Sequence, residues 1–215
     1  MIEFAGSVVA KLIAGFARAV TGVRARWLGC APEPKQRIYF ANHASHGDFV
    51  LIWTALPPPL RAMTRPIAGK DYWDADEMRR FIGRHVFNSV LINRNVTSRR
   101  ENPLGPIEQA LSQGYSLILF PEGTRNTGSE PLLPFKPGLF HLARSFPNVE
   151  LVPVWIDNIG RVLPKGEVIP VPLLCSVTFG HPIRYEAGEA KPAFLLRAQS
   201  ALLNTSPDKE RRHAA

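Results

Sequence analysis

The spacing of apolar and polar positions divides the chain into segments of two kinds. Phe4, Val8, Leu12, Phe16, Val20, Val23 and Trp27 recur three or four residues apart, the period of one face of a helix. The spacing predicts an amphipathic helical region over Ile2 to Leu28, with Gly15 and Gly22 as places where it can break. Ala31-Pro-Glu-Pro34 ends that region. Beyond it, compact apolar runs predict strands at Arg37 to Ala41, Arg65 to Gly69, Val86 to Ile92, Tyr115 to Phe120, Leu151 to Ile156 and Leu173 to Phe179. Helical spacing alternates with them over Phe49 to Leu56, Trp73 to Ile82, Leu104 to Gln113, Leu139 to Ser145 and Ala193 to Leu203. Pro153 lacks the N–H that an interior strand uses, so its run is expected at an edge, a bulge or a strand end.

Strand alternating with helix predicts an α/β fold: a central, mostly parallel sheet flanked by helices, with an N-terminal amphipathic helical segment. The expected organisation is that segment at residues 1–30, one domain at 31–205 and a solvated tail at 206–215. A chain of 215 residues is long enough to bury a full core in one domain.

Charge narrows the partners. The net charge of +8 and pI near 9.9 favour an anion, whether nucleic acid, an acidic membrane surface or a phosphorylated metabolite. No recognition helix, finger or aromatic strand motif underlies the charge, which argues against nucleic acid. Lys11, Arg18, Arg24 and Arg26 accompany the first apolar stripe, and no acidic residue falls between Glu3 and Glu33. That composition suits a helix lying on anionic lipid, and equally an amphipathic helix packed on its own domain. Lys11 interrupts the apolar portion, so a soluble or surface-bound protein is expected rather than a secreted one. Cys30 and Cys175 form no Cys-x-x-Cys pair and are expected as free thiols in a reducing compartment. His85 and His141 lack partners at metal-ligand spacing, and no metal site is expected.

Two stretches carry reactive side chains. Phe40-Ala-Asn-His-Ala-Ser-His-Gly-Asp-Phe49 sets His43 five residues before Asp48 at the end of an apolar run. An imidazole can accept a proton near neutral pH, and a carboxylate can fix its tautomer. Five residues do not share one helix face, so the pair is expected on a strand-to-helix bend with Asp48 at the helix start. The same spacing, taken alone, equally suits a helix cap or a loop hydrogen bond. Phe120-Pro-Glu-Gly-Thr-Arg125 forms a turn at a strand end, where α/β sheets gather ligands. Arg125 can fork onto a phosphate, and Glu122 can orient it, hold a substrate hydroxyl, or simply pair with it across the turn. Lys70 and Arg94 each follow another apolar run.

Asn42-His-Ala-Ser-His-Gly-Asp48, Val90-Leu-Ile-Asn-Arg94, Phe120-Pro-Glu-Gly-Thr-Arg125 and Leu151-Val-Pro-Val154 occur in the order of the conserved blocks of the glycerophospholipid acyltransferases. The chain resembles that family, which includes lysophosphatidic acid acyltransferase, over roughly residues 35 to 185. Phe135-Lys-Pro-Gly138 and Phe179-Gly-His-Pro-Ile183 resemble its spacer elements. The likeness is weaker around Asn88 and Ser89, where Gly is usual, and at Asn126, where Ser is usual.

The resemblance implies an O-acyltransferase acting at the cytoplasmic face of a membrane, peripheral or monotopic. The acyl thioester would be carried by coenzyme A or acyl carrier protein. It would serve as co-substrate with no other cofactor, and a lysophospholipid such as 1-acylglycerol-3-phosphate would be the acceptor. His43 would be the general base and Asp48 its orienter. Lys70, Arg94, Glu122, Gly123, Thr124 and Arg125 would bind the acceptor. The alternatives are another lysolipid head group, a thioester hydrolase, and a noncatalytic lipid-binding protein of the membrane surface.

Overall fold

A computed structural model describes residues 2–93, 102–157 and 174–207. Arg94, and the end of the tail at 208–215, lie outside the described residues. Seven strands form one sheet in the order β1-β7-β6-β2-β5-β3-β4. They are β1 (Arg24–Trp27), β2 (Arg37–Ala41), β3 (Thr64–Gly69), β4 (Val90–Ile92), β5 (Ser116–Leu119), β6 (Glu150–Asp157) and β7 (Ser176–Phe179). Every pairing is parallel except β6 with β7.

β2 and β5 are buried at every position, as a sheet covered on both faces requires. One face packs Tyr39, Ile118 and Val152 beneath helix α1 (Ile2–Thr21) and helix α2 (Asp48–Ala55), with Trp53 and Phe87. The other packs Phe40, Leu117 and Leu119 beneath α6 (Gly105–Ser112), α7 (Gly138–Ser145) and α8 (Lys191–Leu203). Short helices α3 (Pro58–Ala62), α4 (Lys70–Trp73) and α5 (Glu77–Phe81) link α2 to β3 and β3 to β4.

Three expectations change. The N-terminal helix stops at Thr21, where Gly22 takes φ +51, and Arg24–Trp27 joins the sheet as strand β1 against β7. Trp27 stacks on Phe179 at 3.9 Å between ring centroids, so its apolar spacing serves a strand rather than the helical stripe. The expected helix Trp73 to Ile82 is broken at Asp74 to Asp76 and ends in a π-helical turn, Ile82–Val86, and the strand expected from Val86 begins only at Val90. Pro153 lies in β6, which runs between β2 and β7 and is not an edge. It falls between the last rung with β7, Val154 opposite Phe179, and the Leu151–Ile183 bridge. The neighbouring chain leaves the sheet at that point, so the missing N–H forfeits no ladder bond.

Cys30 and Cys175 are not joined in a disulfide. Burial pushes both above the usual thiol range, Cys175 to about 11.

Candidate active site

The parallel strands β2, β5, β3 and β4 end along one edge of the sheet, and the residues singled out in the sequence follow those ends. Asn42, just past β2, bonds the backbone of Ile156 in both directions, donating to its carbonyl at 3.0 Å and accepting from its N–H at 2.8 Å. This amide carries the ladder one residue past the end of β2 and fixes the point from which the next turn departs.

That turn brings His43 onto Asp48, the first residue of α2. His43 Nδ1 lies 2.7 Å from Asp48 Oδ2, which also accepts the N–H groups of Ala44 at 2.7 Å and Ser45 at 2.9 Å. Asp48 is 1% exposed, and its Oδ1 is buried with no partner among the described residues. An ionised carboxylate only accepts, so Nδ1 carries the ring proton and Nε2 keeps the lone pair. Ser45 serves the turn itself, its hydroxyl accepting the Gly47 N–H at 3.3 Å.

Glu122, in the turn after β5, reaches back to the same bend. It is 1% exposed; Oε1 accepts the His43 N–H at 2.9 Å and Oε2 the Leu133 N–H at 2.8 Å. Burial raises its pKa, against the opposing pull of those two backbone donors. The Glu122–Arg125 pair that the turn would permit is not formed. A further bond, from the Asn126 N–H to the His43 carbonyl at 2.7 Å, places half-buried Arg125 one residue from that tether. The Arg125 guanidinium makes no hydrogen bond or ion pair among the described residues. The His43 ring itself stacks on Phe120, with centroids 4.2 Å apart and planes 17° apart.

A cavity of about 440 Å³ opens against His43 and runs between β3, β4, β5 and α7. Its walls are apolar, including Ile67, Ile92, Leu119 and Leu142; the polar exceptions are His43, Asn93 and Lys136. Lys136 was readable only as part of a family spacer. Its N–H is held by the Pro121 carbonyl at 2.7 Å, and its stem crosses Gly123. Gly123 has φ +71, and a β-carbon there would come within 3.1 Å of Lys136 Cγ. A glycine therefore suits both the left-handed turn and the passage of the lysine.

The structure brings His43, Asp48, Glu122 and Gly123 together and keeps Arg125 close by. Thr124 is exposed in the same turn. Lys70 is exposed at the end of β3 and does not line the cavity. It belongs to the same edge through α4, whose Tyr72 stacks on His46 at 5.4 Å. The described residues contain no group of three or more His, Cys, Asp or Glu that could hold a metal.

A family model described as Acyltransferase matches residues 29–157, more than half of the chain, and includes both motif turns. The chain belongs to the acyltransferase family. The 1-acyl-sn-glycerol-3-phosphate acyltransferase of Salmonella typhimurium is 30% identical over 128 residues, covering 56% of this chain and 46% of that protein. The enzyme of that name from Limnanthes alba is 28% identical over 176 residues, covering 78% and 58%. The one from Haemophilus influenzae is 28% identical over 156 residues, covering 62% and 59%. The chain thus spans about half the length of the curated relatives it matches. The crystal structure of the 1-acyl-sn-glycerophosphate acyltransferase PlsC of Thermotoga maritima aligns with a TM-score of 0.68 at 22% identity, covering 94% of this chain and 80% of that one. That similarity establishes the shared acyltransferase fold: a mostly parallel sheet, flanking helices and an N-terminal helix.

Proposed function

We propose that the protein moves a fatty acyl group from an acyl thioester to the free hydroxyl of a lysophospholipid, with 1-acylglycerol-3-phosphate as the first acceptor to test. The observation that carries this reading is the His43–Asp48 pair at the mouth of an apolar cavity. With Nδ1 held by Asp48, Nε2 removes the acceptor proton as the hydroxyl oxygen forms a bond to the thioester carbonyl carbon. Collapse of the tetrahedral intermediate breaks the carbon–sulfur bond, and the imidazolium returns its proton to the departing thiolate. No protein nucleophile and no metal enters these steps.

The remaining groups divide the work of binding. The apolar cavity suits an acyl chain beside the reacting carbonyl. Arg125 and Lys136, with Lys70 from the neighbouring strand end and with Arg94, serve the acceptor phosphate; the arginines offer forks and the lysines point charges. Glu122 acts as a positioning residue, since backbone N–H groups already occupy both of its oxygens. The N–H groups of His43, Ala44, Ser45, Gly123 and Asn126 are likewise committed to acceptors within the chain. Those of Glu122, Thr124 and Arg125 carry no such bond among the described residues and are donors left in this turn for an oxyanion.

Coenzyme A and acyl carrier protein are both compatible thioester carriers, and the cytoplasmic face of a membrane is where either would meet a lysolipid. Helix α1 suits that surface. It is long and apolar enough to cross a membrane by length and composition. Even so, Gly6, Ala14, Ala17 and Thr21 pack on the body while Phe4, Val8, Leu12 and Phe16 stay exposed. A helix fastened along one side and greasy along the other lies in an interface.

Incubation of the purified chain with acyl-coenzyme A or acyl carrier protein thioester and a panel of lysolipids, read by mass spectrometry, tests the proposal. A diacyl product supports it. Thioester loss yielding only free fatty acid assigns the site to hydrolysis, and lipid binding without thioester loss assigns it to a noncatalytic role.

A further inference from the structure

Helix α1 has a third side. At about 100° per residue, the exposed set Phe4, Val8, Leu12 and Phe16 points opposite to the buried set Gly6, Ala14, Ala17 and Thr21. Ser7, Lys11 and Arg18 fall on one flank between the two. Along that flank opens a groove of about 200 Å³, whose lining includes Ser7, Lys11, Trp53, Arg61, Thr64 and Asn88.

Positive charge converges there with no carboxylate among the described lining residues. Arg18 and Arg61 both donate through Nη2 to the Thr54 carbonyl, at 3.1 and 3.0 Å. Arg61 also donates to the carbonyls of Trp53 and Leu56, each at 2.9 Å, and its Cζ lies 4.7 Å over the Trp53 ring. Burial first, and the Arg18 charge second, pull the Arg61 pKa below its ordinary value. Neutral carbonyls orient the two guanidinium groups but do not cancel them; Arg61 and Lys11 line the groove, and Arg18 meets Arg61 at the Thr54 carbonyl beside it. No Asp or Glu is among the groove's lining residues. A partly enclosed cleft lined by one sign of charge concentrates the opposite charge. Its place at the waterline of an exposed apolar stripe selects an anion that carries hydrocarbon.

We propose that this groove binds the phosphate of an anionic phospholipid, a site separate from the one at His43, with the lipid's acyl chains lying along Phe4, Val8, Leu12 and Phe16. Ser7 and Asn88 supply neutral hydrogen-bonding groups beside the cations. A bound lipid joins α1 to the C-terminal end of α2 and to the π-helical turn, so the surface that meets the membrane is tied to the body that carries the site. This inference rests on the reading of α1 as a membrane-surface helix.

Sedimentation of the full chain with phosphatidylcholine vesicles, and with vesicles containing phosphatidylglycerol, tests it. Ser7→Leu fills the groove without changing charge while adding apolar surface to α1. Lys11→Gln removes a cation from the groove, and Lys191→Gln makes the same charge change at the start of α8, against the other face of the sheet. Ser7→Leu and Lys11→Gln should each weaken binding to anionic vesicles about fivefold to tenfold, with Lys191→Gln unchanged and circular dichroism melts confirming folded variants. Ser7→Leu binding anionic vesicles as tightly as the parent chain would overturn the site and leave only diffuse surface attraction. Displacement from vesicles by inorganic phosphate, at ionic strength held constant with chloride, would assign the groove to a soluble anion and overturn the lipid. Failure of the parent chain to bind either vesicle removes the membrane-surface reading and the site together, whereas binding without anionic preference removes the site alone.

Discussion

The backbone N–H of His43 donates to Glu122 Oε1 at 2.9 Å, so the turn after β5 positions the turn after β2. Two motifs separated by 79 positions in sequence thereby become one site. The Asn126 N–H to His43 carbonyl bond closes the same link from the other side.

Replacing Glu122 should loosen this link before it touches chemistry. Glu122→Ala leaves the N–H groups of His43 and Leu133 without their acceptors, at a cost of roughly 1–3 kcal/mol for each buried group left unsatisfied. A lowered melting temperature together with reduced kcat is expected from calorimetry and steady-state assays. The pH dependence has a definite sign. Burial raises the Glu122 pKa in the folded state, so the native protein holds this proton more tightly than the unfolded chain. Its contribution to stability is fully present below the ordinary glutamate range and is lost as pH rises through the raised folded value. Glu122→Gln should remove that part of the slope in melts recorded across the window.

Asp48→Asn should damage turnover far more than substrate binding. The amide offers an N–H or a neutral oxygen where a carboxylate oxygen now gathers three donors, and the ring proton is no longer held on Nδ1. A loss of about 10²–10⁴ in kcat is expected with KM changed much less. A selective rise in KM would instead assign Asp48 to substrate binding.

Arg125→Ala and Lys136→Ala should act on the acceptor's phosphate. Each is expected to raise KM for 1-acylglycerol-3-phosphate by roughly 10- to 100-fold, the value of a charge-assisted hydrogen bond of about 1.5–3 kcal/mol. KM for a monoacylglycerol, which lacks the phosphate, should move little. Equal losses for both acceptors would mean that these cations do not read the phosphate.

Much of this arrangement was legible in the chain, for reasons that differ by element. β2 matches its expected bounds because a short run, apolar from Ile38 to Ala41 behind Arg37, between Pro-containing and polar segments fits few structures other than a covered strand. His43, Asp48 and the turn from Phe120 to Arg125 are legible because each group of candidate residues is contiguous. β1 was missed, since the spacing of Val23 and Trp27 continues the helical stripe, and only the pairing with β7 and the stack on Phe179 show otherwise. The break at Asp74 to Asp76 is marked by Asp76, which caps the next helix by accepting the Arg79 N–H, and the π-helical turn Ile82–Val86 simply continues that helix, so apolar spacing alone passes over both. Lys136 and Asn42 gain their meaning from Gly123 and Ile156, which are distant in sequence. The double role of Glu122 as acceptor for two loops is likewise a tertiary relation that no local spacing records.

If His43 is the base, turnover depends on its imidazole and must fall in His43→Ala. Rates of diacyl product formation should be measured for parent and variant at matched folding by circular dichroism, with acyl thioester and 1-acylglycerol-3-phosphate saturating. A fall of about 10²–10⁴ with acceptor binding preserved is the predicted result. Transfer persisting within a few-fold of the parent rate would contradict the assignment of His43 as the general base.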